Sequence, residues 1–354
     1  MQISHIEVLP VELELSEPHR TATRSGELEL AECVFVRIET RGGQVAWGCA
    51  AFDPAQTGES MDQVISACEA CADRALDLNP LNTEYALAEL AVLTNDTPSV
   101  RCAFDMAFHD LLGLAAGLPL HRLLGGYRSR IQTSVTLSLY PVRETVRAAR
   151  DRAAQGFRIL KLKGGLDPQE DVCRVLAVHE ALPNLILRLD ADQGYSIQQA
   201  LDVARALEGK LEMLEQPTPA GDLRALGEVT RHSKIPILAD ESLTGPASAL
   251  ELAGQHLVHG MSVKLATCGG LHCARQVDAI ARAAGIATMV GCISEPALLI
   301  AAGLGLALSS PNVRYSDLDG HLDLIGDPTL PSFRLEDGWL IAGEVPGLGC
   351  TVEI

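Results

Sequence analysis

Charged residues close a series of short β-rich segments at a nearly constant interval through the middle of this chain. Lys163, Asp190, Glu215, Asp240, Lys264 and Asp317 each end such a segment, with successive gaps of 27, 25, 25, 24 and 53 residues, the last spanning two units. A step of about 25 residues is one strand plus one helix of a βα unit. The candidate strands are 132–139, 158–163, 185–190, 211–215, 235–240, 260–264, 287–290 and 313–317, with amphipathic helical stretches between them. That alternation predicts a parallel sheet, and eight such strands predict a barrel. Strand-to-loop transitions ordinarily favour Gly, Asn and Ser. A run of charged ends instead predicts a ring of functional side chains on the C-terminal face, where barrels of this kind carry their active sites.

The flanks follow other rules. Strand-like segments at 2–15, 30–40 and 44–50 precede helical ones at 59–76, 82–93 and 98–116, which predicts a separate α+β domain over residues 1–125. The barrel is expected over 126–319. The tail, 320–354, carries short strand-like pieces at 333–335 and 339–341 and is expected to fold back onto the first domain.

Composition narrows the partners. The formal net charge is −18, and a field of that sign repels nucleic acid and anionic membrane surfaces. The longest apolar run, 297–308, is about half of what a bilayer-spanning helix needs and predicts a buried helix. The N-terminus alternates like a strand and has no basic and apolar leader pattern. Ten cysteines lack framework spacing, and Cys68-x-x-Cys71 falls in an Ala-rich helical stretch that favours packing over metal binding. Reduced thiols and the absence of a leader pattern together predict a cytoplasmic location, with homo-oligomerisation left open.

Asp190, Glu215 and Asp240 come from three neighbouring strand ends. Three converging carboxylates repel one another unless a cation neutralises them, and a hard divalent ion such as Mg²⁺ suits an all-oxygen donor set. Lys161 and Lys163 lie two apart on one strand, so both face the barrel interior. Lys161 is expected to lower the pKa of Lys163 and so prepare it as a base. Lys264 faces it across the ring. One base on each side of a carbon is the requirement of a 1,1-proton transfer next to a carboxylate, with Mg²⁺ stabilising the resulting enediolate.

K-L-K at 161–163, L-D-A-D at 189–192, L-E-Q-P at 214–217, A-D-E-S at 239–242, K-L-A-T-C-G-G at 264–270 and G-C-I-S-E at 291–295 resemble the muconate-lactonizing subgroup of the enolase superfamily. F-D-M-A-F-H-D-L-L-G at 104–113 and L-L-G-G at 123–126 extend the resemblance over nearly the whole chain. A lysine base working with Mg²⁺ is a general pattern of that superfamily. The resemblance implies a (β/α)7β modified TIM barrel under an α+β capping domain formed by both chain termini. It implies Asp190, Glu215 and Asp240 as Mg²⁺ ligands, Lys163 and Lys264 as the acid/base pair, and Glu241 as a neighbour of the second base. Two positions depart from the family pattern. Asp192 stands where the family usually has Asn, adding negative charge beside the metal, and Pro296 follows Glu295 where Ser is usual.

The subgroup contains muconate cycloisomerases, o-succinylbenzoate synthases, N-succinylamino-acid racemases and dipeptide epimerases, all sharing the lysines and the metal. The choice rests on residues that read the substrate. Asp317 and Asp319, two apart at the last strand end, want a cation, and a substrate ammonium can serve both. In dipeptide epimerases such a D-x-D motif holds the free amino terminus, so the resemblance implies a dipeptide substrate. Arg24, in T-A-T-R-S at 21–25, resembles a loop arginine that meets the carboxylate of a C-terminal glutamate. An L-Ala-D/L-Glu epimerase and an enzyme for cationic dipeptides both remain open at this point. Thr136 and Glu295 are further candidates for substrate contact, and His109 and His121 are read as structural.

Overall fold

The computed structural model of the chain describes residues 1–22 and 27–354. Eight parallel strands pair in the order β12-β11-β10-β9-β8-β7-β6-β5. They are β5 (Val135–Leu137), β6 (Ile159–Lys163), β7 (Ile186–Asp190), β8 (Met213–Glu215), β9 (Ile237–Ala239), β10 (Gly260–Lys264), β11 (Ala287–Gly291) and β12 (Val313–Ser316). A helical segment follows each of the first seven, which gives the (β/α)7β barrel. The seam between β12 and β5 is closed by the Ser134 N–H donating to Ser316 O at 3.1 Å and the Thr136 N–H donating to Asp319 Oδ2 at 2.6 Å. Below it Arg188, 2% exposed, donates to Ser134 Oγ and Ser316 O at 3.0 Å each, with its Nε on Glu212. A buried guanidinium is tolerated here because acceptors surround it.

The second layer is an antiparallel sheet of β1 (Ile3–His19), β2 (Leu28–Thr40) and β3 (Val45–Phe52), covered on one side by helices Met61–Ala75, Thr83–Ala91 and Pro98–Ala116. Alternation along the strands explains why it serves two cores. Val34, Val36 and Ile38 face the cap's own helices, while Cys33 and Phe35 join the barrel core. Helix Pro98–Ala116 crosses β3 so closely that a Cβ on Gly48 would lie 1.9 Å from Ala103 O, so only glycine fits.

The F-D-M-A-F-H-D segment fastens the two layers. Asp105 pairs with His109 one turn on and accepts the His272 N–H at 2.9 Å from a barrel helix. Asp110 accepts the Trp47 N–H from the cap sheet and the Leu348 N–H from the tail. Cys68 and Cys71 pack in the cap core, where burial raises both thiols, Cys71 to about 12.

The tail divides its attachments. Its β13 (Leu324–Ile325) joins β1, and Gly347 bridges to Pro119, both toward the cap. Between them β15 (Arg334–Glu336) pairs with β16 (Trp339–Ile341), which in turn pairs with β4 (Arg130–Gln132), the strand that enters the barrel. The hairpin expected over the first domain therefore lies at the barrel entrance. The helix Ala297–Ser309 is buried from Ala297 to Leu308. Among the described residues no helix is long and apolar enough to cross a membrane.

Candidate active site

The C-terminal strand ends open into a cavity of about 360 Å³ between barrel and cap. Around the ring stand Lys163 on β6, Asp190 on β7, Glu215 on β8, Asp240 just past β9 and Lys264 on β10. Two lysines thus bracket three carboxylates. Lys163 Nζ donates to Asp190 Oδ2 at 2.9 Å and to Asp192 Oδ1 at 2.8 Å. Lys264 Nζ donates to Asp240 Oδ2 at 2.7 Å and to Gln56 Oε1 of the cap at 3.4 Å.

One oxygen from each of Asp190, Glu215 and Asp240 falls within 4.8 Å of the others. Both oxygens of Glu215 are buried and accept no hydrogen bond, with the nearest lysine, Lys161, 3.6 Å away. A buried carboxylate left in that state is costly, and three hard oxygens converging on one point suit a divalent cation. The residues present therefore fit such an ion. Burial pushes the Glu215 carboxyl up to about 8, with Asp190 and Asp240 adding to the rise against the pull of Lys161. Burial would raise Asp190 as well, but Lys163 and Lys161 hold it well below the usual carboxylate range.

Lys161 acts on Lys163 in the expected direction but does not decide its pKa. Its ammonium is held by Asp317, with Asp190 at 3.4 Å. It does push Lys163 down, as does burial, but Asp190 and Asp192 outweigh both and hold Lys163 well above the ordinary lysine value. The physical reason is proximity, since two carboxylates contact Lys163 directly. Asp192, the departure from the family's Asn, is one of them. Burial raises Asp192 itself to about 6. Glu241, raised to about 8 mainly by burial, stands among the charges of Asp240 and Lys264.

Asp317 and Asp319 lie just past β12 and both line the cavity. Asp317 is already engaged by Lys161 and by Ser134 Oγ at 2.5 Å. Asp319 accepts the Thr136 N–H and the Cys292 thiol, and its carboxyl is raised by burial and by Asp317 beside it. Thr136 lines the cavity too. Glu295 is 1% exposed and takes no part in the cavity lining, which Ile293 and Ser294 form there. Its carboxyl accepts the Ile293 N–H, and burial raises it well above the usual range. Arg24 falls outside the described residues.

The cap supplies residues that sequence reasoning missed. Glu12, Glu29 and Glu32 line the cavity mouth with Phe52, Asp53 and Gln56. In sequence these acids belong to alternating strands and look like an ordinary solvated face; no motif singles them out.

Residues 144–353 match the family described as enolase C-terminal domain-like, and residues 4–125 match the mandelate racemase/muconate lactonizing enzyme N-terminal domain. The chain belongs to the mandelate racemase/muconate lactonizing enzyme family. Within that family it is similar to an L-Lys-D/L-Arg epimerase of Methylococcus capsulatus, 40% identical over 362 residues and 99% of each chain. A dipeptide epimerase structure from Enterococcus faecalis, complexed with Mg and L-Leu-L-Tyr, superposes with a TM-score of 0.96. It is 33% identical, covering 99% of this chain and 100% of that one. A dipeptide epimerase structure from Methylococcus capsulatus, complexed with Mg and L-Arg-D-Lys, gives 0.92 at 38% identity over 100% of both chains.

Proposed function

We propose that this family member is a Mg²⁺-dependent dipeptide epimerase that inverts the α-carbon of the C-terminal residue by 1,1-proton transfer between Lys163 and Lys264. The observation that carries the proposal is that Lys163, partly buried, and Lys264, buried, line one cavity and flank a single buried carboxylate triad. Asp190, Glu215 and Asp240 would hold the ion, which when bound supplies Lewis-acid stabilisation of charge on the substrate carboxylate. The chain's own residues do the proton work. A lysine must be neutral to accept a proton, and here Asp190, Asp192 and Asp240 hold Lys163 and Lys264 protonated. Asp190 and Asp240 would hold the two lysines less tightly with their charge shared with the ion, so that one lysine could stand neutral as base while the other stays protonated as acid. Lys161, fixed by Asp317, gives the site a standing positive charge beside the carboxylates. Asp319, backed by Thr136 and Asp317, would take the substrate's N-terminal ammonium.

We further propose that the preferred side chains are cationic. Glu12, Glu29 and Glu32 face the cavity, and no ion pair engages them among the described residues. The same acids repel the glutamate of L-Ala-Glu and the succinyl group of an N-succinylamino acid. The similar L-Lys-D/L-Arg epimerase supports this choice. The test compares kcat/KM for Lys- and Arg-containing dipeptides with that for L-Ala-L-Glu, in both epimeric series. A preference of about 100-fold for the cationic set is expected, since each well-placed charge is worth about tenfold. Preference for L-Ala-L-Glu would remove the cationic reading but leave the epimerase standing.

A further inference from the structure

Lys163 is the last residue of β6, so the turn that follows sets where its ammonium points. That turn, Gly164-Gly165, is gripped from two sides. The Gly164 N–H donates to Asp190 O at 2.7 Å, and the Gly165 N–H donates to Asp171 Oδ2 at 2.8 Å. The Tyr195 hydroxyl donates to the same Oδ2 at 2.5 Å, and Arg174 pairs with Oδ1. There is no spare room. A Cβ on Gly164 would lie 2.9 Å from Asp171 Oδ2, and one on Gly165, at φ +100°, would lie 2.1 Å from Ala191 O.

Tyr195 comes from the loop after β7, so Asp171 joins the turn that follows Lys163 to the loop that follows Asp190 and carries Asp192. That second loop is itself strained, with Asp192 and Gln193 at φ 41° and 67°, a conformation that persists only where neighbours hold it. Asp171, Arg174 and Tyr195 are 1%, 2% and 1% exposed, and none lines the cavity. A buried ion pair gives little net stability over an apolar filling of the same shape. Its contribution here is geometry.

We propose that Asp171 is a positioning residue for one of the two bases: it fixes the approach of Lys163 and leaves Lys264 untouched. The proposal rests on the assignment of both lysines as bases. It follows that damage at Asp171 is one-sided. The epimer whose α-proton faces Lys163 loses its rate, while the epimer facing Lys264 keeps exchanging that proton with solvent.

The test uses Asp171→Asn and, as the milder change, Tyr195→Phe, each in the full Mg²⁺-loaded enzyme in D₂O. Solvent exchange is followed separately from each epimer of whichever substrate the wild type turns over, dipeptide or N-succinylamino acid. Expected is a fall in kcat of about 10- to 100-fold from one epimer with KM little changed, and exchange from the other within about threefold of wild type. An equal loss from both epimers, or no loss from either, overturns the proposal. Crystal structures of the variants give a second reading that needs no substrate. Lys163 Nζ should leave its place beside Asp190 and Asp192 while Lys264 stays beside Asp240, and an unmoved Lys163 overturns the proposal. Wild-type inactivity on every dipeptide would instead count against the function proposed above.

Discussion

Glu12 on β1 and Glu32 on β2 are direct partners in the antiparallel register of the cap, and both line the cavity mouth. Like charges in that relationship cost about 0.2–1 kcal/mol of stability when no cation lies between them. The double variant Glu12→Gln/Glu32→Gln should therefore fold slightly more stably in urea denaturation. It should also lose about 10- to 100-fold in kcat/KM for Lys- and Arg-containing dipeptides, with little change for L-Ala-L-Ala. The wild-type preference for cationic substrates should weaken as salt is added, because the mouth is exposed. Equal losses on cationic and neutral dipeptides would assign these residues to the fold alone.

Metal affinity should depend on pH with a definite sign. In the metal-free protein Glu215 is raised to about 8, so at pH 7 it is mostly protonated. A bound cation needs the carboxylate, so binding must release a proton. Mg²⁺ affinity should tighten as pH rises from 7 and level off above about 8, approaching tenfold per pH unit below that point. Calorimetry in two buffers of different ionisation enthalpy measures the released proton. Glu215→Gln should abolish the binding heat while leaving the metal-free fold about as stable as wild type at pH 7, because the buried group is then neutral in both.

His321, which stacks edge-on against Phe333, should give the fold a second pH signature. Burial lowers its pKa to about 4 despite Asp327 and Asp323 nearby. Between about pH 4 and the unfolded value near 6.5, the unfolded chain binds more protons than the folded one, so stability rises with pH. The stability difference between wild type and His321→Gln, taken from urea curves, should move in favour of wild type from pH 4 to pH 7. A flat difference would mean that His321 titrates alike in both states.

The barrel seam depends on Arg188. Replacing it with Ala leaves Ser134 and Ser316 O without their shared donor and Glu212 without its partner. A loss of about 2–4 kcal/mol in denaturant unfolding is expected, chiefly from the charged donor lost to two buried oxygens, since Glu212 is partly exposed. Because Ser134 also holds Asp317, activity should fall with stability.

The legible parts of this molecule are those written in periodicity. Charges at a step of one βα unit located the ring from Lys163 to Asp317, because a strand end is a fixed place in a barrel. The buried helix 297–308 was legible because an apolar run shorter than a bilayer has few other fates. Contacts between remote segments were not legible. Nothing in K-L-K says that Lys161 reaches across the seam to Asp317, or that Asp190 and Asp192 contact Lys163 and raise it where Lys161 alone would lower it. Glu295 reads like a candidate for substrate contact, but it is buried while Cys292, Ile293 and Ser294 line the cavity. Glu12, Glu29 and Glu32 resemble a solvated face until the cap is laid over the barrel.

The most direct test follows the α-protons of a Lys- or Arg-containing dipeptide by NMR in D₂O with wild-type enzyme and Mg²⁺. Deuterium should enter only at the C-terminal residue, with the other epimer accumulating, and Lys163→Ala and Lys264→Ala should each stop epimerisation. Exchange confined to N-succinylamino acids, exchange at the N-terminal residue, or epimerisation that survives loss of either lysine would contradict the assignment.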